Sequence, residues 1–283
     1  MAGTYYAFLP VRDSVDTIGD VLDSLLGQTH PPLAITVVDD GSTDGTEKVL
    51  AVFHRKHPEK IRIITTHSTT RDYKRLAGLW NRCLQKGPDY HMIAAGDTVF
   101  RADYAEIIIR GMDADRDIAV ASGETTATKA KTPHGGGRFV RQRFFYRHYD
   151  RYPEIVGYES EILYTAIINK HITKVFPNAI LEHTDSLGHG HNFSEFGQGM
   201  RALGYHPLFV LFRTLNALVG RSGEMGRRGA INMLWVYLTY KPDKSGYFSL
   251  FPEESRKKIR GIQKERMIQE IRQRIGRLRR TPA

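Results

Sequence analysis

A single cysteine, Cys83, occurs in 283 residues. A lone thiol excludes an intramolecular disulfide, so nothing in the chain asks for an oxidising compartment. No apolar run approaches the roughly 18 residues that a membrane-spanning helix needs. The first residues lack the basic-then-apolar order of a secretion signal, and a cytoplasmic protein is expected. Internal repeats and low-complexity tracts are absent. So is any G-x-S-x-G string, which leaves Pro133-His134-Gly135-Gly136-Gly137 without a nucleophile elbow to serve as an oxyanion hole. That stretch is read as a glycine-rich loop. Net charge is scarce too, once it is mapped. The total is +10, but residues 256–280 hold 11 Lys/Arg against Glu265 and Glu270, a net of +9. The remainder carries 30 Lys/Arg against 29 Asp/Glu. The body is nearly neutral, and any contact with a polyanion belongs to the tail.

What is present is ordinary globular material, 41% hydrophobic and 25% charged, in a chain long enough for one large or two small domains. Apolar runs at Tyr5–Leu9, Ala34–Val38, Ile61–Thr65, Tyr90–Ala95 and Ile118–Ala121 read as strands. Helical patterns lie between them. The first ends at Leu26, with Asp16 or Thr17 as its cap and Ile18, Val21, Leu22, Leu25 and Leu26 on one face. Others end near Lys56, cover 70–85, and reach Met112. Strands alternating with helices predict an α/β fold with a mostly parallel sheet.

The stretch Val38-Asp39-Asp40-Gly41-Ser42-Thr43-Asp44-Gly45-Thr46 sits where a strand ends and a helix begins. In an open α/β sheet that edge is where ligands bind. Ser42, Thr43 and Asp44 also suit the cap of the following helix. At a strand end, outside the expected core, the Asp pair is expected to tolerate substitution without unfolding. The string resembles the nucleotide-sugar motif of family-2-type inverting glycosyltransferases with the GT-A fold, and the likeness extends over about residues 4–122.

The resemblance implies a division of labour. Asp39 and Asp40 would accept hydrogen bonds from base and ribose, with Pro10, Val11 and Arg12 as the opposite wall. The family's Asp-x-Asp cation motif falls on Ala95-Gly96-Asp97, so Asp97 matches the last acid and Ala95 replaces the first. A divalent cation, Mg²⁺ or Mn²⁺, is implied, since hard cations take carboxylate, phosphate and water oxygens. The competing reading makes Asp97 a helix cap before Arg101. Arg71 and Arg75 are candidate phosphate partners, and Asn81 matches a family position near the nucleotide. His189 and His191 could complete the metal site, as a histidine does in some such enzymes. Zinc fits less well, because no cysteine lies nearby. For the general base the family uses a Glu-Asp pair before a helix that ends at a Gly-aromatic step, here Gly204-Tyr205. That pair is interrupted, and the candidates in order are Asp185, Glu182 and Glu195.

Two further stretches stand apart. Arg138–Tyr152 interleaves Arg with Phe and Tyr, which could stack bases or pack a sheet edge and hold a diphosphate, the second being preferred. From Glu253 on, Ile259, Ile262, Met267 or Ile268, Ile271, Ile275 and Leu278 form a stripe on a basic helix. An anionic membrane surface, self-packing and nucleic acid are its candidate partners, in that order. The apolar segments Leu208–Val219 and Ala230–Tyr240 suit a peripheral membrane surface. The resulting expectation has four parts: a nucleotide-sugar-binding half at 1–122, an acceptor-side catalytic half at 123–205, apolar amphipathic helices at 206–252, and a basic helix at 253–283. The expected activity is inverting transfer of a sugar to an acceptor hydroxyl, on a membrane-associated or surface glycan precursor. A modified DNA base as acceptor, and a non-catalytic nucleotide-sugar-binding or partner-binding protein, are the alternatives.

Overall fold

The computed structural model describes residues 2–68, 74–126, 130, 132–154, 156–184, 193–220, 225–241 and 253–278. Arg71, Asp185, His189 and His191 lie outside the described residues. The chain divides into two units, Met1–Glu154 with Thr165–Ser186, and Ile155–Tyr164 with Leu187–Ala283.

The first unit is built on one eight-stranded sheet, in the order β3-β2-β1-β4-β7-β6-β8-β5. Its strands are β1 (Tyr5–Val11), β2 (Ile35–Asp40), β3 (Ile61–Thr66), β4 (Tyr90–Ile93), β5 (Thr98–Phe100), β6 (Ile118–Thr125), β7 (Arg138–Arg141) and β8 (Ile172–His183). The pairs β1–β2, β2–β3, β1–β4 and β6–β8 are parallel; β4–β7, β6–β7 and β5–β8 are antiparallel. The sheet is therefore mixed, where the strand–helix alternation predicted a mostly parallel one. β7 follows β6 in the chain, pairs antiparallel with it, and lies inside the sheet between β4 and β6.

β1 is buried on both faces, as a central parallel strand should be. Tyr5, Ala7, Leu9 and Val11 join a core with Ile18, Val21, Leu22 and Leu25 of α1 (Ile18–Leu26). Ile108, Ile109 and Met112 of α4 (Tyr104–Ala114) belong to the same core. The alternate side chains Tyr6 and Phe8 face an aromatic cluster. Phe8 lies 6.4 Å from Trp80 of α3 (Lys74–Asn81), Trp80 is 5.1 Å from Tyr152, and Tyr152 is 4.6 Å from Phe145 of α5 (Gln142–His148). The Arg- and aromatic-rich segment thus fills a core. Two of its arginines are tied down: Arg141 donates to the carbonyls of Ile118, Met112 and Asp115, and Arg138 to those of His134 and Pro133. This corrects the sheet-edge expectation, since β7 lies between β4 and β6, and it takes Phe139, Phe144, Phe145 and Tyr152 into the core.

α2 (Thr46–Lys56) follows β2. α6 (Tyr158–Ile168) begins in the second unit and ends in the first. The second unit adds α7 (Ser194–Ala202), α8 (Pro207–Leu218), α9 (Arg227–Thr239) and α10 (Glu253–Leu278). The end of α7 closes as expected on the Gly204-Tyr205 step, with the Tyr205 N–H on the Met200 carbonyl at 2.9 Å. α10 is partly self-packed. Ile259 and Gln263 are fully buried, and Gln263 accepts from the His206 N–H at 2.8 Å while donating to the Tyr164 hydroxyl at 3.0 Å. Among the described residues, no helix is long and apolar enough to cross a membrane.

Candidate functional site

The carboxyl ends of β1, β2 and β4 gather most of the described site residues in the first unit. β1 ends in Pro10 and Val11, with Val11 paired opposite Asp39, and Arg12 follows. Asp39 and Asp40 are the last two residues of β2 and lie opposite Thr65 and Thr66 of β3. They end the strand as expected, but at 2% and 8% exposed they are buried, which corrects their placement outside the core. Asp39 Oδ1 accepts from the Ser42 N–H at 3.0 Å and the Ser42 hydroxyl at 2.6 Å. Asp40 Oδ1 accepts from the Thr66 hydroxyl at 2.6 Å and from Arg75 Nη2 at 2.6 Å, with Arg75 Nε at 3.0 Å. Burial opposes ionisation of Asp40, but the hydrogen bonds and charge of Arg75, with Thr66, outweigh it and lower the carboxyl pKa below its ordinary value. Arg75, considered for phosphate, is paired with Asp40 here. Asn81 holds the backbone of Tyr152, donating to its carbonyl at 2.9 Å and accepting its N–H at 2.7 Å.

The turn after β2 is bound to the turn after β1 by the side chains of Asp13, Ser42 and Asp44. Asp13 accepts the Thr43 N–H at 2.8 Å, and Ser42 accepts the Asp13 N–H at 3.0 Å. Asp44 accepts the N–H groups of Val15 and Thr46, both at 2.9 Å. The formal cap of α2 is Gly45, not Ser42, Thr43 or Asp44. Gly41 has φ +76°, and a Cβ there would stand 2.7 Å from the Ser68 carbonyl oxygen, so glycine is required where the chain leaves Asp40.

Asp97 follows β4. A Cβ on Gly96 would meet Val11 Cγ1 at 3.0 Å, so the Gly96–Asp97 step lies close against the end of β1. Thr17, the N-cap residue of α1 as expected, locks the same step by donating its hydroxyl to the Gly96 carbonyl at 2.7 Å rather than to the helix. Asp97 does not cap a helix either, because β5 intervenes and the cap of α4 is Asp103. The side chain of Asp97 is 34% exposed, with Oδ1 3.9 Å from His183 Nδ1 and 3.1 Å from the Thr98 hydroxyl. Burial raises its pKa, yet the facing His183 and Thr98 together bring it below the ordinary carboxylate value, so Asp97 is ionised at neutral pH. His183 ends β8, opposite Thr98. His134, from the glycine-rich loop, stacks edge-on at 6.4 Å from the His183 ring. His183 was missed as a site residue because the β5–β8 pairing that brings it to Asp97 has no local signal. Glu182, beside it, is exposed on β8, and Glu195 lies in the first turn of α7, in the second unit. Among the described residues, no group of three or more His, Cys, Asp or Glu is placed to hold a metal.

The model of glycosyl transferase family 2 matches residues 6–164, more than half of the chain. The chain belongs to that family. It is a glycosyltransferase. No curated protein sequence matches it significantly. Among solved structures it is similar to the mannosyltransferase PcManGT from Pyrobaculum calidifontis in complex with GDP-Man and Mn²⁺, at 15% identity and TM-score 0.60, over 84% of this chain and 71% of that one. S. aureus TarS 1-349 matches at 14% identity and TM-score 0.53, over 83% and 70%. GalNAc-T7 with UDP, GalNAc and Mn²⁺ matches at 12% and 0.55, over 71% and 47%. At these identities the likeness is one of fold, and the mixed sheet of this glycosyltransferase is the fold in question.

Proposed function

We propose that this glycosyltransferase moves a sugar from a nucleoside-diphosphate donor to an acceptor hydroxyl with inversion, on a glycan precursor. The observation that carries the reading is the gathering of Arg12, Asp39, Asp40, Gly96 and Asp97 at the carboxyl ends of β1, β2 and β4, where an open α/β sheet binds ligands. Asp39 and Asp40 receive the nucleoside against Pro10, Val11 and Arg12. Arg71 is assigned to phosphate, and Arg75 keeps Asp40 ionised.

A divalent cation, Mg²⁺ or Mn²⁺, is assigned to Asp97. The donor set fits in part: Asp97 is ionised and partly exposed, with His183 beside it. A hard cation that also takes phosphate and water oxygens needs few protein ligands. His189 and His191 are the further ligands we assign. When bound, such a cation neutralises the charge of the departing diphosphate.

In the displacement, the bond from the anomeric carbon to the diphosphate oxygen breaks as the acceptor oxygen bonds to the opposite face. The acceptor proton passes to Asp185, with Glu182 and then Glu195 as the next candidates. PcManGT, with GDP-Man and Mn²⁺, and GalNAc-T7, with UDP and Mn²⁺, support a donor and cation of this class. The test incubates the protein with a panel of UDP- and GDP-sugars, Mn²⁺ and simple glycoside acceptors. Release of nucleoside diphosphate is expected, and a product of inverted anomeric configuration by NMR. Failure to consume any donor, or a retained configuration, contradicts the reading.

A further inference from the structure

Two helices of the second unit present apolar rows to solvent. On α8, Leu208, Leu211 and Leu215, with Val219 just past its end, are exposed at a spacing of three or four residues, while Val210, Thr214 and Ala217 are buried. On α9, Ile231, Trp235 and Leu238 are exposed while Ala230, Met233 and Tyr237 are buried. Trp235 is 66% exposed. Rows of this kind mark an interaction surface.

The charges around them narrow the partner. Neither helix contains an Asp or Glu, whereas Arg213 lies in α8, and Arg227 and Arg228 open α9. α10 adds nine Lys/Arg against four Glu. We propose that α8 and α9 dock this protein on an anionic lipid bilayer, lying along the interface with their apolar rows at the acyl boundary. At 12 and 13 residues the helices are far too short to cross, but long enough to lie flat. Tryptophan favours that depth. A second copy of the chain fits less well, because a symmetric contact would set acid-free, arginine-bearing helices against each other. Nucleic acid would engage the cations and leave the leucines and Trp235 in water.

The inference is independent of the donor reading, because it is tested without substrate. The full chain is mixed with vesicles of phosphatidylcholine, with or without phosphatidylglycerol, and sedimented. Binding is expected with phosphatidylglycerol, at least tenfold weaker without it, and reduced by salt. Trp235 emission should shift to the blue and be quenched by brominated acyl chains, since the other tryptophan, Trp80, is buried in the first unit. The pair Leu215→Ser with Trp235→Ser should cut vesicle binding at least tenfold at an unchanged melting temperature, as both residues are exposed. No binding to anionic vesicles overturns the proposal. So does equal binding by the double variant, or a concentration-dependent dimer that the same substitutions abolish.

Discussion

His91 shows how a single residue couples this fold to pH. It sits in β4, fully buried, with its Nε2 2.6 Å from the Tyr152 hydroxyl. Burial pushes its pKa down to about 3. The folded state therefore keeps the ring neutral at a pH where the unfolded chain, near 6.5, binds a proton. Its contribution to stability is complete above about pH 6.5 and is lost as pH falls toward the folded value, at about 1.4 kcal/mol per unit. At pH 4.5 the native protein should have lost about 2–3 kcal/mol through this group. Urea unfolding of the native chain and His91→Gln at pH 7 and pH 4.5 checks it, and parallel pH profiles would refute the assignment. Asp185 is the residue on which the proposed chemistry turns. Asp185→Asn should lower turnover by roughly 10²–10⁴-fold, with donor affinity retained. If Glu182→Gln or Glu195→Gln gives that loss instead, the base is misassigned.

At the scale of elements, the motif after β2 is a structural joint as much as a ligand grip. Thr46 is fully buried, donates to Asp44 at 2.6 Å and accepts the Ser14 N–H at 2.9 Å, so it binds the start of α2 to the turn after β1. Thr46→Val keeps the shape and removes both bonds. It should cost about 1–3 kcal/mol, seen as a lower urea midpoint with an unchanged slope. A change under a few tenths of a kcal/mol would mean the turns are held by other contacts. The parallel strands β1 to β4 and their helices were legible, because each is a local apolar run with its own period. β8 was not. Pro177 interrupts its run, and its register against β6 shifts between Ser122 and Glu124. β5 has three residues, too few for any pattern. β7 reads as a basic stretch, because its arginines satisfy buried carbonyls. With β5 and β8 hidden, His183 beside Asp97 was hidden too.

Across the whole molecule, charge and burial divide the labour. The neutral body holds the carboxylates of the site, and the basic residues collect on α10, whose Ile259 and Gln263 anchor it within the second unit. That anchoring was half legible: the stripe called for a cover, but only the structure shows Gln263 bridging Tyr164 and His206. The family and its acidic motif were legible from end to end of the string at 38–46, because the chemistry depends on contiguous residues. In the proposed reaction Asp97 holds the donor diphosphate through a divalent cation, while Asp39 and Asp40 grip the nucleoside. The direct measurement is the melting temperature of the native chain and of Asp97→Asn with UDP or GDP, each with and without Mn²⁺. A ligand at 100 times its Kd stabilises the native state by about 2.7 kcal/mol, a shift of several degrees. Such a shift is expected with one of the diphosphates, enlarged by Mn²⁺ in the native chain but not in Asp97→Asn. A native chain that no nucleoside diphosphate stabilises, or an Asp97→Asn protein with the full Mn²⁺-dependent shift, would contradict it.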